Sequence, residues 1–293
     1  MDNFLNTVSE VYRNFGLENT SVSENKLPED VRLFQRIILT TEERKRLPSN
    51  ASFFMGTQIH EAVQKMICHN KTLDEVIYKD ENSLIKNTRN YKPLDDKDKA
   101  KSRTIAMQSK KIIKHFVEEV NKLQDGNWKS ECEYVHWDNR IGTYFRMFVD
   151  AVGDKYFIDF KNLFGSVRQT KKGWSISKRT MEGKIFSSDL MQMALYSKVL
   201  PNHKPCLIYA TPEGAMSFTP DNTPEMQPEN LHKYYEELIT YQKVWENKLA
   251  YAGGDIKKLA NIIKTDFSSI RKQDFWWNNI PYEYLTRLKK YYD

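Results

Sequence analysis

Cysteine is scarce in this chain. Three cysteines among 293 residues, an odd number without paired spacing, argue against a disulfide framework and indicate a reducing compartment. They are also too few for an iron–sulfur cluster, which needs four cysteine ligands.

Long apolar runs are absent as well. No run of about 18 apolar residues occurs, so no transmembrane helix is predicted. The start, from Met1 to Asn6, lacks the basic and apolar regions of a secretory signal. We therefore expect no membrane partner and a cytoplasmic location, in the host cell if the chain is phage-encoded. G-x-S-x-G and Walker A motifs are missing too, so neither a serine hydrolase nor a built-in ATPase is indicated.

Positive charge exceeds negative charge only mildly. Lysine and arginine total 45 against 39 acidic residues, for a formal net charge of +6, which suits a polyanionic partner. The basic stretch 162–184 contains glycines and one tryptophan, and we predict a flexible loop that holds phosphates and stacks a base. A plain surface loop is the alternative. Its candidate nucleic-acid-binding residues are Arg168, Lys171, Lys172, Trp174, Lys178 and Arg179.

Two carboxylates and a lysine lie in a predicted β-hairpin. Residues 144–152 and 156–160 are rich in aromatic and β-branched residues, and turn-forming residues separate them. The two-residue period of a strand sends Asp159 and Lys161 to one face. Buried aspartates need a partner or a metal, and with Asp150 in the neighbouring strand they predict a site for Mg²⁺ or Mn²⁺. The alternative is a surface Asp159–Lys161 pair, with Asp150 capping a turn.

Two further motifs flank the hairpin. Upstream, residues 55–63 read as a glycine-led start of a helix with His60 in its first turns, either as a metal ligand or as a packing residue. Downstream, Gln192 and Tyr196 stand four residues apart in a helix predicted from about Ser188 to Leu200, so they share a face. An ordinary polar helix edge is the alternative for that pair.

Taken in order, G-x-x-x-H, a strand aspartate, D-x-K and Q-x-x-x-Y resemble the PD-(D/E)XK nuclease superfamily over roughly Ser52 to Phe218. The chain is most similar to the RecB-like branch, which includes Cas4-like proteins and phage and mitochondrial exonucleases. Relatives often carry a glycine shortly before the first aspartate, whereas Arg146 to Val149 precede it here.

The resemblance implies a ligand set for the metal. His60 matches the family's upstream histidine, Asp150 and Asp159 match its two acidic ligands, and the carbonyl of Phe160 matches its backbone ligand.

The resemblance also implies roles for the catalytic side chains. Lys161 matches the lysine that orients or activates the attacking water and offsets charge on the phosphate. Gln192 and Tyr196 match helix residues that support the lysine or touch the DNA backbone. Glu131 and Glu133, on the preceding predicted strand, either reach the site or are exposed strand positions.

The expected fold is α/β, a restriction-endonuclease-like core with a mixed central sheet flanked by helices and with helical additions at both ends. We predict one nuclease domain over residues 1–293: a mainly helical part (1–125) that carries G-x-x-x-H, a catalytic sheet with the Gln192 helix (126–220), and a helical C-terminal part (221–293). The stretch 80–99 is predicted to be a loop.

The predicted activity is that of an Mg²⁺- or Mn²⁺-dependent DNA exonuclease. It would hydrolyse phosphodiester bonds of single-stranded or end-exposed DNA during recombination, repair or DNA processing, in a phage or a similar element. A helicase, recombinase or single-strand-binding partner would be a separate chain. The alternatives are a structure-specific or flap endonuclease on the same fold and a DNA-binding module with a vestigial site.

Overall fold

The computed structural model describes residues 8–77, 91–171, 173–179, 181–265, 277 and 280–292. Among these residues no helix combines the length and the apolar character that a membrane crossing requires.

Helices make up most of the regular structure. Two short turns differ from the α-helical geometry, a π-helical turn at Phe34–Ile38 and a 3₁₀ turn at Pro224–Met226. The α-helices of the described residues are α1 (Glu10–Arg13), α2 (Val22–Asn25), α3 (Glu29–Leu33), α4 (Thr41–Lys45), α5 (Ala51–His69), α6 (Leu73–Val76), α7 (Asp96–Lys122), α8 (Ser187–Val199), α9 (Pro228–Ala252), α10 (Ile256–Ile263) and α11 (Tyr282–Lys289).

The strands form a mixed sheet of six strands and a separate two-stranded sheet. Along the larger sheet the order is β1-β3-β4-β7-β8, and β2 also pairs with β3. Pairing is parallel between β1 and β3 and between β4 and β7, and antiparallel between β3 and β4 and between β7 and β8. The strands are β1 (Asn19–Thr20), β2 (Lys129–Trp137), β3 (Tyr144–Val152), β4 (Tyr156–Asn162), β5 (Val167–Thr170), β6 (Gly173–Ile176), β7 (Lys204–Thr211) and β8 (Gly214–Phe218).

This architecture confirms the predicted α/β class with a mixed central sheet and flanking helices. The parallel pair β4 and β7 is joined through α8, which packs on β7. A parallel connection needs such a crossover, because strands that run in the same direction cannot be linked by a tight turn.

Two compact units make up the chain. Unit 1 comprises Met1–Pro48, Tyr134–Met147 and His232–Asp293, and unit 2 comprises Ser49–Glu133 and Phe148–Leu231. Each unit has its own buried apolar cluster, which includes Phe34 and Trp245 in unit 1. The prediction of a single nuclease domain over residues 1–293 stays a prediction.

The core of unit 2 lies where α5 and α7 pack together and α7 packs on β7 and β8. The apolar stripe of α7 is buried, with Ile105, Ile112 and Phe116 fully inaccessible to solvent. Burial of large apolar side chains is the main source of stability in such a cluster.

The helix α7 begins at Asp96, inside the stretch predicted to be a loop. The side chain of Asp95 accepts a hydrogen bond from the backbone N–H of Asp98, and acidic residues occupy the first turn. Both features stabilise a helix N-terminus. The prediction of a loop over 80–99 is therefore wrong for residues 96–99, whereas residues 80–90 lie outside the described part of the chain.

The basic stretch 162–184 is not simply a loop. β5 and β6 form an antiparallel hairpin in which Val167 pairs with Ile176 and Gln169 with Trp174. Gly173 closes its turn with φ +108°, a conformation that side chains rarely adopt. The β-branched and aromatic residues on either side of this turn are the signal that the loop prediction overlooked.

Candidate active site in unit 2

The strands β3 and β4 form the predicted hairpin, with Asp150 on β3 and Asp159 on β4. The strands pair antiparallel, with Ala151 opposite Ile158. The backbone N–H of Phe160 donates a 2.7 Å hydrogen bond to Asp150 Oδ2. Because this bond runs from one strand to a side chain of the other, it fixes the Asp150 carboxylate beside β4.

Gln192 links the lysine of the hairpin to one of its carboxylates. Lys161 Nζ lies 2.5 Å from Asp159 Oδ2 and donates to Gln192 Oε1 at 3.2 Å. Gln192 Nε2 in turn lies 2.9 Å from Asp159 Oδ1 and 2.6 Å from Tyr196 Oη. The Tyr196 hydroxyl donates to the carbonyl of Phe148 at 2.8 Å, so the contacts connect β4, α8 and β3.

His60 lies in the middle of α5 rather than in its first turns. The helix begins at Ala51, capped by Asn50, because the Asn50 side chain accepts the N–H of Phe53. His60 Nδ1 is 3.8 Å from Asp150 Oδ2. Its Nε2 is buried and has no hydrogen-bond partner among the described residues. Such an orphaned nitrogen in a packed interior is uncommon and costs free energy.

Gly56, the glycine of the G-x-x-x-H motif, stands inside α5 rather than leading into it. The Asn162 side chain donates to the Gly56 carbonyl at 3.3 Å, and a Cβ at Gly56 would lie 3.4 Å from the same Asn162 amide. The motif glycine therefore lies where α5 meets the end of β4, and a Cβ there would be in van der Waals contact with Asn162.

Burial governs the charge state of these groups. Desolvation lowers the pKa of His60 to about 4, with a further contribution from the Lys161 charge, so the imidazole is neutral at pH 7. Desolvation raises the pKa of Asp159 to about 6 and also raises the pKa of Asp150, although Lys161 counters both shifts. Both aspartates therefore ionise less readily than exposed aspartates do.

Lys161 stays protonated because neighbouring negative charges outweigh the effect of its burial. Burial by itself would lower its pKa, but the charges of Asp159, Asp189 and Asp150 outweigh that effect and raise the pKa above the ordinary value.

Two residues of this site escaped the sequence analysis. Asp189 stands one turn before Gln192 on α8 and accepts a 2.7 Å hydrogen bond from the hydroxyl of Tyr209. Tyr209 pairs with Lys161 in the β4–β7 register. The three-residue spacing from Gln192 was the signal for Asp189. Nothing in the sequence pointed to Tyr209, because its partner strand is remote in the chain.

The donor atoms are of the types that bind a divalent cation, and part of their geometry also suits one. Two ligands that are each about 2.1 Å from one ion lie at most about 4.2 Å apart, and the 3.8 Å between His60 and Asp150 meets that limit. Asp159 instead contacts Lys161 and Gln192. Within the described ranges, no group of three or more His, Cys, Asp or Glu side chains is placed to hold a metal. The Phe160 carbonyl ligand stays a prediction.

Glu131 and Glu133 are exposed on β2. Glu131 has φ +48°, which is unusual for a strand residue other than glycine. Its charge contributes to the raised pKa of Asp150, so Glu131 is close enough to influence the site electrostatically.

The predicted nucleic-acid-binding residues fall into two groups. Arg168, Lys171 and Trp174 are exposed on the β5–β6 hairpin or in its turn. Lys178 and Arg179 follow the hairpin and line a cavity that the other three do not line. Lys172 lies outside the described residues.

Comparison with known proteins gives little further guidance. No protein-family model and no curated protein matches the chain. A crystal structure of a predicted exonuclease from Eubacterium rectale is 12% identical, with a TM-score of 0.45, and covers 84% of this chain and 88% of its own. The structure of the protein SSO0001 is 16% identical, with a TM-score of 0.27, and covers 64% of this chain and 87% of its own. At these identities and TM-scores, neither match assigns a family or a function.

Proposed function

We propose that unit 2 is a metal-dependent deoxyribonuclease of the PD-(D/E)XK type, similar to the RecB-like and Cas4-like branch. The observation that carries the proposal is the arrangement of Asp150 and Asp159 on adjacent strands, with Lys161 and Gln192 in contact with Asp159 and with His60 3.8 Å from Asp150. Carboxylates withdrawn from water are costly unless they are paired or bind a ligand, and a divalent cation would be such a ligand here.

His60, Asp150 and Asp159 would hold the cation, with the Phe160 carbonyl as a backbone ligand. When bound, Mg²⁺ or Mn²⁺ polarises the scissile phosphate and lowers the pKa of a bound water. The neutral state of His60 at pH 7 suits metal ligation, since only the unprotonated ring nitrogen donates a lone pair.

Lys161 acts as a fixed positive charge. Because its pKa is raised, it stays an ammonium at neutral pH and is poorly suited to remove a proton from water. It offsets the negative charge that develops on the phosphate oxygens, which is a large stabilising effect in a buried site. Gln192 orients Lys161 and Asp159 together, and Tyr196 orients Gln192.

The substrate we propose is single-stranded or end-exposed DNA, degraded as by an exonuclease during recombination, repair or DNA processing of a phage or similar element. A separate helicase, recombinase or single-strand-binding protein would prepare the strand. A flap endonuclease would use the same chemistry. A vestigial DNA-binding module is the rival that one observation favours, since Asp159 is occupied by Lys161 rather than grouped with the other donors.

Lys161→Ala tests the proposal against Lys155→Ala, which removes an exposed lysine from the turn of the same hairpin. Each protein is incubated with linear single-stranded, linear duplex and closed circular DNA, in Mg²⁺, in Mn²⁺ and in EDTA. Wild type and Lys155→Ala should degrade linear DNA only with metal, and Lys161→Ala should lose at least about a hundredfold in rate. Folding is checked by circular dichroism.

The outcomes separate the candidates. Cutting of closed circles would replace the exonuclease with an endonuclease. DNA binding without cleavage by wild type under every metal condition would favour the vestigial module. Calorimetric titration with Mn²⁺ gives an independent reading, because Asp150→Asn should abolish binding while wild type binds.

A further inference from the structure

A cavity of about 600 Å³ lies in unit 2 ahead of the helix α8. Its wall comes from residues 178, 179 and 181–187 and from Leu163, Tyr209 and Phe218. The volume is in the range of pockets that hold small organic ligands. No role in catalysis has been assigned to this space.

The cavity adjoins the Lys161 cluster. Tyr209, in its wall, pairs with Lys161 across the β4–β7 register and donates a hydrogen bond to Asp189. Asp189 in turn contributes to the electrostatic environment of Lys161. The Tyr209 hydroxyl also accepts the backbone N–H of Phe186 at 3.1 Å, which fixes the cavity wall to the same strand. A molecule in the cavity is therefore next to the groups that we propose to act on phosphate.

The lining combines an aromatic surface with positive charge. Phe186 is 49% exposed, and the guanidinium of Arg179 lies 6.0 Å from its ring centroid. Lys178 and Lys184 are exposed cations in the same wall. Within the described part of the chain, the ion pairs involve none of these three cations, although Glu182 also lines the cavity. Nucleic-acid sites for single strands use this pairing of an aromatic platform with cations.

We propose that this cavity binds one nucleotide of the DNA strand that enters the active site. The base stacks on Phe186, and Lys178, Arg179 and Lys184 hold the adjacent phosphate. Phe186 and Lys184 are therefore positioning residues for the substrate. The proposal rests on the proposed nuclease function and deepens it, because it selects a single, unpaired strand: a base within a duplex is stacked and cannot enter a pocket.

Binding without cleavage tests the cavity directly. Anisotropy of a fluorescein-labelled single-stranded oligothymidylate of about twelve nucleotides is measured in EDTA at several salt concentrations. Phe186→Ala is expected to weaken binding about 5- to 150-fold. Lys184→Ala is expected to lower the slope of log affinity against log salt by about 0.7. The matched controls are Phe53→Ala, which removes a phenylalanine that is 72% exposed outside the cavity, and Lys198→Ala, which removes an exposed lysine of α8.

Competition identifies what the cavity recognises. Thymidine monophosphate should displace the labelled strand from wild type at far lower concentration than inorganic phosphate does, and this difference should disappear in Phe186→Ala. Equal competition by inorganic phosphate would overturn the proposal in favour of a simple anion site. Unchanged binding by both Phe186→Ala and Lys184→Ala would also overturn it.

Cleavage assays on the same preparations separate the two proposals. If wild type degrades linear DNA with metal while the cavity variants bind like their controls, the cavity proposal fails alone. If wild type neither binds nor cuts DNA, the nuclease function fails and the cavity proposal falls with it.

Discussion

Replacing Gln192 with methionine should disrupt the polar network of the site while keeping the side chain at nearly the same size. Gln192 is the residue that contacts the lysine, a buried carboxylate and the supporting tyrosine at once. Methionine has nearly the same length but offers neither the carbonyl that Lys161 uses nor the amide that Asp159 uses.

The magnitude follows from the two charged partners. Hydrogen bonds to ionised groups contribute about 1.5–3 kcal/mol each, and a buried charged acceptor left without its donor costs at least as much. Asp159 is 3% exposed in its side chain, so water cannot replace the lost amide. Lys161 is 26% exposed and regains part of its hydration. We expect a net loss of about 2–3 kcal/mol in the free energy of unfolding.

Urea unfolding followed by circular dichroism measures the change, with Gln58→Met as the matched control. Gln58 is buried, at 8% exposure, and its amide nitrogen makes a long bond of 3.4 Å to Glu61. Its replacement should cost below about 0.5 kcal/mol. Equal stability of Gln192→Met and Gln58→Met would refute the network, since Gln192 contacts a lysine at 3.2 Å and a buried carboxylate at 2.9 Å, whereas Gln58 reaches one partly exposed carboxylate at 3.4 Å.

Two predictions concern unit 1. Arg32 is 5% exposed, donates to Gln242 at 2.9 Å and lies 4.4 Å over the ring of Trp245. Arg32→Lys should therefore lower the free energy of unfolding in urea by about 2 kcal/mol. The control Arg13→Lys, at an exposed position, should lower it by almost nothing. Asp138 accepts hydrogen bonds from Arg140, which hold the pKa of its carboxyl well below the usual range. Because a lowered folded-state pKa stabilises above the unfolded value, Asp138→Asn should be less stable than wild type at pH 7, and the difference should shrink as the pH falls below about 4.

Each of these two predictions has an outcome that would contradict it. Full stability of Arg32→Lys would mean that a point charge suffices and that the planar contacts of the guanidinium contribute little. A stability gap between wild type and Asp138→Asn that stays constant from neutral to acidic pH would show that the loss comes from packing rather than from the ionised carboxylate.

The strand residues of the site could be predicted because a strand has a simple period. Alternation alone places Asp159 and Lys161 on one face, and their 2.5 Å contact agrees with that prediction. The four-residue spacing of Gln192 and Tyr196 likewise predicts the bond between them. Local periodicity therefore identified the members of the network, whose roles stay predictions.

Long-range contacts could not be predicted in the same way. The approach of His60 to Asp150 depends on how α5 packs against the sheet, and the contribution of Tyr209 depends on a strand that is distant in sequence. The β5–β6 hairpin was missed for a different reason, because its lysines and glycines suggested a loop while its pairing residues were few. Sequence periodicity predicts which residues share a face of a strand or helix, but tertiary packing determines which faces contact each other.

The electrostatics of the site give the Lys161 variant a second consequence. Lys161 pairs with Asp159 and lowers the pKa of both Asp150 and Asp159, so its removal takes one positive charge away from the proposed metal ligands. A variant at this position should therefore attract a divalent cation more strongly than wild type while cutting DNA far more slowly, because cation binding responds to total negative charge whereas catalysis needs the fixed positive charge. Mn²⁺ titration of Lys161→Ala would separate these two effects. Weaker cation binding than wild type would mean that Lys161 organises the carboxylates, and that its removal disperses the ligands instead of freeing them.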